Sequence, residues 1–181
     1  MRPYLQQPDL SFVAAKSSDI DALHALIESA YRGDSARKGW THEADLLGGQ
    51  RTDRRALQNI VDDENQVILL ATDQDTVIGC VQLSHIDDAV SYLGLLTVNP
   101  NLQAGGLGKQ IIIAAEQFAK DAWHSKTMEM TVIGKRDDLI AYYERRGYEP
   151  TGERRPFPMN DPRFGLPKTD RLEFIVLSKA L

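Results

Sequence analysis

The chain has 181 residues and a mass of 20.2 kDa, a length that favours one domain over residues 1–181. Hydrophobic residues make up 42% and charged residues 26%, which excludes a low-complexity or collagen-like chain. The formal net charge of −5 and the pI near 5.4 argue against a nucleic-acid or anionic-membrane partner.

The single cysteine, Cys80, cannot form an intramolecular disulfide, and no CxxC pair or Cys/His spacing typical of a metal site occurs. We therefore expect a reducing compartment and no metal. The first ten residues lack the apolar stretch of a signal peptide. No segment approaches the roughly 20 apolar residues of a transmembrane helix. The sequence thus predicts a cytoplasmic protein.

The first half of the chain predicts strands and at least one helix. A strand over residues 11–15 precedes a helix that begins at Ile20, where apolar residues recur at helical spacing. The β-rich runs 66–71 and 76–83 are separated by turn-forming residues and should pair antiparallel. Residues 32–38 and 47–53 have the composition of loops.

The second half predicts two more helices between strands. The strand 90–98 ends before Pro100, which disfavours helix in the residue preceding it. A long amphipathic helix begins at Leu107, and residues 128–132 then alternate as a strand does. A helix over 137–146 ends at Gly147, a strand begins at Tyr148, a loop covers 154–168, and a last strand covers 171–177. This order indicates a mixed α/β fold.

Glycines cluster between the strand that ends at Val98 and the helix that begins at Leu107. Backbone N–H groups and the helix dipole meet there, and missing Cβ atoms let a diphosphate approach the main chain. A Walker A loop would need glycine and Ser or Thr where Gln103 and Gln110 stand, and a dinucleotide fingerprint would need a small residue in place of Ile111. Neither of these patterns fits.

A third pattern, Gln/Arg-x-x-Gly-x-Gly/Ala, is met once, by residues 103–108. It resembles the acetyl-CoA loop of the GNAT-type N-acetyltransferase family. By itself the hexapeptide is modest evidence, and the alternative is a glycine-rich connector between a strand and a helix. Residues 142–148, however, are similar to the later Tyr-x-x-x-Gly-Phe/Tyr signature of that family, and residues 95–100 to its fourth strand. The chain is identified as a member, which implies a GNAT fold: a single mixed, strongly twisted sheet with helices on both faces.

The resemblance implies acetyl-CoA as co-substrate and assigns residues to it. The backbone around Leu96, Thr97 and Val98 would pair with the pantetheine arm and the thioester as an added strand does. The pyrophosphate would be wrapped by the loop and the helix start, namely Gln103, Ala104, Gly105, Gly106, Leu107, Gly108 and Lys109. In the family the fourth and fifth strands splay apart beyond a bulge and hold the thioester, and here these strands are 90–98 and 126–133.

Acetyl transfer to an amine by direct attack needs a proton for the departing CoA thiolate. Tyr143 has a suitable phenol, because a group with a pKa of about 10 is protonated at neutral pH and can donate to a thiolate of pKa about 8 to 9. The resemblance assigns this catalytic role to the tyrosine at that position. The alternative is a core aromatic on the inward face of its helix.

The general base is where the sequence departs from the family. Many members have glutamate where Tyr92 stands, and some have it where Thr131 stands. Replacement groups are expected after the first helix, where Glu43 or His42 is the candidate base. Candidate acceptor-binding residues are Arg37, Trp40, His42 and Tyr92. The alternative is a helix start capped by Thr41, with acidic residues in its first turn.

Arg136 stands where some members have an asparagine that touches the cofactor arm. Three interpretations stay open for it: contact with a CoA phosphate, contact with an anionic acceptor, or a place at the start of the following helix. We group it with the cofactor-binding residues.

These features predict an N-acetyltransferase that moves acetyl from acetyl-CoA to a primary amine of a small-molecule or peptide acceptor, in a ternary complex. The vacant acidic positions motivate an alternative, a non-catalytic acyl-CoA-binding or sensing module. A nucleotide-binding protein is a third possibility. Homodimers are frequent in the resembled family, so we also expect a homodimer.

Overall fold

The computed structural model describes residues 10–32, 45–102 and 105–181 and is built on a seven-stranded mixed sheet. Its strands are β1 (Leu10–Ala14), β2 (Gln66–Asp73), β3 (Thr76–His85), β4 (Val90–Val98), β5 (Thr127–Ile133), β6 (Glu149–Pro156) and β7 (Glu173–Ala180). Their order is β1-β2-β3-β4-β5-β7-β6. Only β4 and β5 pair in parallel, and the other neighbours are antiparallel.

Helices cover both faces of the sheet. They are α1 (Ile20–Tyr31), α2 (Arg54–Asp62), α3 (Leu107–Trp123) and α4 (Asp137–Glu144). The apolar face of α1 and Leu57 of α2 pack with Ile68, Leu70 and Leu95 on one side of the sheet. The other side is covered by α3, whose buried residues pack with those of β3, β4 and β5, and by Tyr143 of α4. The predicted fold class is confirmed.

The helix α3 lies very close to the sheet because of Gly79. A Cβ at this position would lie 2.6 Å from Cδ1 of Ile111 and 2.8 Å from the carbonyl oxygen of Thr97. Ile111 is fully buried, so its side chain has little room to move. A residue without a side chain is therefore required where β3 passes beneath α3.

A bulge distorts β4 in its second half. Cys80 pairs with Thr97 and Gln82 pairs with Gly94, so Leu95 and Leu96 together oppose the single residue Val81. Leu95 has a φ of 48°, which is rare for a residue with a side chain. The bulge bends β4 away from β5.

The parallel pairing of β4 with β5 is short. It covers residues 90–92 of β4 and 127–129 of β5, and beyond these residues the two strands do not pair with each other. Because β5 continues to Ile133 and β4 to Val98, the two strands diverge and leave a wedge-shaped gap. The divergence expected of these two strands is thus observed.

Between β6 and β7 the chain forms a strap, residues 157–168, which returns to the loop before α2. Leu166–Pro167 pairs antiparallel with Leu47–Gly48, and the Lys168 N–H donates to the Leu46 carbonyl at 2.8 Å. Gly165 has a φ of 101° and lies against Arg32, where a Cβ would come within 2.8 Å of Nη2. These contacts fix the strap beside the end of α1.

Most predicted elements are present, with four differences. The helix α2 was not anticipated at its place, although Asp53 caps it by accepting from the Ala56 N–H at 2.8 Å. The expected loop at 47–53 contains the short strand just described, and β6 extends into the expected loop at 154–168. Both strands depend on partners distant in the sequence, which local composition does not reveal. The helix α4 ends at Glu144, two residues before the end predicted from the sequence.

None of the helices within residues 10–32, 45–102 and 105–181 combines the length and apolarity that a membrane crossing requires. In the same part of the chain, no three His, Cys, Asp or Glu residues are grouped so that they could hold a metal ion.

Candidate active site

A cavity of about 260 Å³, here called the cleft, occupies the gap between β4 and β5. Residues 92–96 of β4 form one wall and residues 130–133 of β5 form the other. The helices contribute Tyr31 from α1, Leu139 and Tyr143 from α4, and Arg136 at the N-cap of α4. The cleft exists because the two parallel strands stop pairing after Tyr92.

The backbone of β4 presents hydrogen-bonding groups to this gap. The Asn99 N–H donates to the Ile78 carbonyl of β3 at 2.9 Å. Because N–H groups alternate in direction along a strand, those of Val98 and, two residues earlier, Leu96 point to the β5 side. The Tyr31 hydroxyl donates to the Leu96 carbonyl and holds the bulge in place. Thr97 is buried, and its Oγ1 donates to the Leu95 carbonyl at 2.9 Å.

The glycine-rich segment leads from β4 into the 17-residue helix α3. Gly106 is the N-cap residue and has a φ of 81°, a left-handed conformation that favours glycine. Gly106 has no side chain with which to cap the N–H groups of the first turn. No acidic residue stands in that turn, Gly105 and Lys109 are exposed, and Leu107 and Gly108 are buried. An anion would be stabilised at this helix start.

Tyr143 lies inside the molecule, only 6% exposed, and its ring packs edge-on against Tyr142 and Tyr148. Burial raises its pKa well above the ordinary value, and nearby phenols, among them that of Tyr31, raise it further. The positive charge of Arg136 opposes this rise. The phenol therefore keeps its proton throughout the physiological pH range.

Tyr92 and Thr131, where the family resemblance implies an acid in many and in some members respectively, meet across the cleft. The hydroxyls of Tyr92 and Thr131 are 2.6 Å apart and share a hydrogen bond. Glu129 lies two residues before Thr131 on the same face of β5, and its carboxylate accepts from Arg155 at 2.8 Å. Among the described residues that line the cleft, none is a carboxylate.

Arg136 forms part of the cleft wall. Its side chain is 11% exposed and makes a two-pronged ion pair with Asp138, with N–O distances of 3.1 and 3.2 Å. This pairing lowers the pKa of Asp138. Arg136 and Tyr143 therefore line the same cleft.

A second cavity of about 360 Å³, here called the side groove, adjoins the cleft and extends along α2. Five residues line both spaces: Arg51, Tyr92, Gly94, Leu95 and Phe164. Phe164 belongs to the strap and is 45% exposed, and the Arg51 guanidinium lies 5.1 Å from the centre of the Tyr31 ring. Neither Arg51 nor Phe164 belongs to a recognisable motif, so nothing in the sequence pointed to them.

Several predicted site residues lie outside the described part of the chain. They are Arg37, Trp40, His42 and Glu43 on the acceptor side, and Gln103 and Ala104 in the glycine-rich loop. The structure brings Tyr92, Leu96, Arg136 and Tyr143 together around one cleft, and Val98 leads from it toward the start of α3.

Cys80 belongs to the core. It is fully buried on the α1 and α2 side of the sheet, and burial raises the pKa of its thiol to about 12. A thiol held in its neutral form is a poor nucleophile.

Comparisons with known proteins agree with this arrangement. The model of the acetyltransferase (GNAT) family matches residues 21–148, and the chain therefore belongs to that family. Members of the family use acetyl-CoA as co-substrate and act on small-molecule or protein amines. The comparison with curated proteins found no match.

Solved structures of N-acetyltransferases share the fold. An N-acetyltransferase from Staphylococcus aureus is similar with a TM-score of 0.71 at 10% identity, over 94% of this chain and 97% of that one. The ribosomal-protein-S18-alanine N-acetyltransferase from Escherichia coli has a TM-score of 0.67 at 14% identity, over 94% and 93%. A spermidine/spermine N-acetyltransferase from Vibrio cholerae has a TM-score of 0.66 at 13% identity, over 94% and 92%. At these identities the likeness concerns the fold.

Proposed function

We propose that the protein is an acetyl-CoA-dependent N-acetyltransferase that acetylates a primary amine by direct attack in a ternary complex. The observation that carries the proposal is the gap between β4 and β5, which has strand amides along one side and the protonated phenol of Tyr143 in its wall. Membership of the GNAT family supports it. We also infer that residues 1–181 work as one domain.

The chain's own groups fit the co-substrate. The N–H groups of Leu96 and Val98 point to the β5 side, where a pantetheine arm would pair with them as a strand does. Among the described residues, no atom outside the immediate neighbours of Gly106 lies within 4 Å of the place where its Cβ would be, which supports a place for phosphates beside the α3 N-terminus. Gln103 and Ala104 would complete the loop, and Arg136 would contact the cofactor arm.

Acetyl-CoA would supply a thioester, and the protein would orient it and manage the protons. As a neutral amine attacks the carbonyl carbon, the C–N bond forms and the C–S bond breaks. Tyr143 donates its proton to the departing sulfur, the amine loses one proton, and solvent returns a proton to the phenolate. Because burial raises the pKa of the Tyr143 phenol, this group keeps its proton until the thiolate forms.

The residue that accepts the amine proton would come from the segment after α1, where Glu43 or His42 is our candidate. Arg37, Trp40, His42 and Tyr92 are our candidates for acceptor contacts. A cytoplasmic location and a homodimer remain predictions from the sequence and from the family resemblance.

The first test is thermal stabilisation by acetyl-CoA, CoA, NAD and ATP in parallel, because a ligand that binds only the native state raises the Tm. We expect a rise with the two CoA species alone. A rise with NAD or ATP instead would overturn the proposal in favour of a nucleotide-binding protein. The second test is release of free thiol with a panel of amines.

The variant Tyr143→Phe separates an enzyme from a binding module. We expect it to keep the Tm rise with acetyl-CoA and to lose most thiol release, because it lacks only the proton donor. An alternative, the non-catalytic acyl-CoA-binding module, is motivated by Tyr92 and Thr131 in place of acids. That alternative predicts CoA binding with no thiol release from the wild-type protein across the whole panel.

A further inference from the structure

The ring of Tyr92 lies along β4 on the side of the sheet that faces α1 and α2. Leu93 packs in the core on the α3 side, and because side chains alternate along a strand, Tyr92 and Gly94 face the opposite side. A Cβ at Gly94 would lie 3.2 Å from Cε1 of Tyr92, so the ring lies against the backbone of Gly94. The side chain of Tyr92 therefore covers the stretch of β4 that Gly94 leaves bare.

The hydroxyl of Tyr92 reaches across from β4 to β5. Parallel pairing of the two strands ends at Tyr92 and Glu129. Two residues further along β5, Oγ1 of Thr131 lies 2.6 Å from Oη of Tyr92 and shares a hydrogen bond with it. Thr131 faces the same side as Tyr92, because Met130 and Val132 belong to the core on the α3 side. The ring thus spans the narrow end of the gap, where the strands begin to diverge.

Tyr92 borders both the cleft, of about 260 Å³, and the side groove, of about 360 Å³. Two other residues of β4, Gly94 and Leu95, line both spaces as well. Gly94 has no side chain, and Leu95 is only 9% exposed. The ring of Tyr92 is therefore the largest group that β4 places between the two spaces, and its truncation would join them at the narrow end of the gap.

The proposed binding mode of acetyl-CoA directs the acyl group toward this ring. The phosphates would lie at the α3 N-terminus beside Gly106, beyond the Val98 end of β4. The N–H groups of Val98 and Leu96 would pair with the pantetheine arm. The thioester and its acyl group follow along β4 in the direction of Tyr92, where the gap closes. An acyl chain that lengthens from there meets the ring before it reaches the side groove.

We propose that Tyr92, held across the gap by Thr131, determines the acyl-chain specificity of the enzyme and restricts the donor to acetyl-CoA and other short acyl-CoAs. The inference rests on the proposed acetyltransferase function. The hydrogen bond fixes the ring in place, and extra methylene groups pressed against a fixed side chain in a packed site are destabilising. The same ring keeps the acyl group out of the side groove, which stays free for an acceptor.

The test measures the affinity of the protein for CoA, acetyl-CoA, butyryl-CoA and hexanoyl-CoA by isothermal titration calorimetry, which needs no acceptor. For the wild-type protein, we expect the Kd to be about tenfold or more higher for hexanoyl-CoA than for acetyl-CoA. Tyr92→Ala should lower this Kd ratio about tenfold, because the longer chain can then enter the side groove. The Kd for CoA itself should stay unchanged, since CoA carries no acyl group.

Two further variants separate the bulk of the ring from its hydrogen bond. Tyr92→Phe keeps the ring without the hydroxyl, and Thr131→Val removes the partner of the same bond, so both should give the same Kd ratio, between those of the wild-type protein and Tyr92→Ala. Ile60→Ala is the matched control, because Ile60 of α2 lines the side groove and not the cleft. This control enlarges the groove without opening it to the gap and should keep the wild-type ratio.

Two results would overturn the inference while CoA binding is intact: equal affinity of the wild-type protein for hexanoyl-CoA and acetyl-CoA, or a wild-type Kd ratio in Tyr92→Ala. If Tyr92→Ala does not fold, Tyr92→Leu decides, with an expected decrease of the ratio by about threefold and the same contradicting outcome. Failure of the wild-type protein to bind CoA would instead contradict the proposed function, so the two failures are distinguishable.

Discussion

At the scale of single residues, the cleft is defined by tyrosines. Tyr31 donates to the carbonyl of Leu96, Tyr92 pairs with Thr131, and Tyr143 lies buried in the opposite wall. Burial raises the pKa of the Tyr143 phenol well above its ordinary value, so this group keeps its proton and adds no negative charge to the cleft. A site of this kind suits proton donation to a leaving thiolate better than proton abstraction from an ammonium group.

The pH dependence of turnover should reflect the raised pKa of Tyr143. Because the phenol stays protonated to beyond its ordinary pKa of about 10, kcat/KM should rise with pH as the amine deprotonates and show no decline below pH about 10. The measurement is kcat/KM across this range. Tyr142→Phe is the matched control and should keep the wild-type profile. A wild-type decline near pH 8 that disappears in Tyr143→Phe would contradict the assigned pKa direction.

Removal of the Tyr31 hydroxyl should loosen the bulge in β4. In Tyr31→Phe the Leu96 carbonyl loses a buried donor, which should lower the free energy of unfolding by about 1 kcal/mol. The KM for acetyl-CoA should rise because the strand that would pair with pantetheine is less well fixed. Chemical denaturation and initial rates measure the two effects. Unchanged stability together with an unchanged KM would show that the hydroxyl has no such role.

At the scale of elements, the long helix α3 follows β4 along the chain, and its N-cap is Gly106 in a left-handed conformation. The strap borders the cleft, because its pairing with Leu47–Gly48 brings Phe164 to the mouth of the cleft. The cleft therefore has walls formed by two strands and is bordered on one side by the strap.

Gly106→Ala should cost about 1–2 kcal/mol of stability, because an alanine at a φ of 81° is strained even where its Cβ has no close contact with the described residues. The affinity for CoA should fall with it, since the loop would relax away from the left-handed conformation. Gly105→Ala is the control for stability, because its Cβ would make only an ordinary contact of 3.6 Å with the Leu102 carbonyl. Equal losses of stability in the two variants would refute the conformational argument.

At the scale of the whole molecule, one close contact connects the core to the site. Gly79 of β3 lets α3 approach the sheet directly behind Thr97, which lies between the two β4 residues whose N–H groups face the gap. Packing on the α3 side and the geometry of the gap are therefore linked through one strand. Substitutions in the core beneath α3 should therefore alter the geometry of the gap between β4 and β5.

Gly79→Ala should lower the free energy of unfolding by about 1–3 kcal/mol through overpacking, since one of its contacts is with backbone. The CoA-induced rise in Tm should shrink as well. Gly134→Ala is the comparison, because the nearest atoms would be at an ordinary 3.6 Å. Urea denaturation of both variants measures the difference, and a Gly79→Ala variant as stable as Gly134→Ala would contradict this account.

The sequence determined those features of the protein that depend on neighbouring residues. Apolar spacing predicted α1 and α3, Pro100 and Gly147 marked the ends of elements, and the glycine-rich run predicted the connection after β4. Periodicity and the backbone preferences of glycine and proline act over a few residues, so one strand or helix is enough to show them.

Only the tertiary structure decided which residues meet at the cleft. The divergence of β4 from β5 depends on where their pairing stops, and the bulge depends on the register with β3. Arg51 and Phe164 reach the cleft because the strap pairs with Leu47–Gly48 across more than a hundred residues of chain. Register and long-range packing are properties of pairs of elements, and a single segment carries no record of its partner.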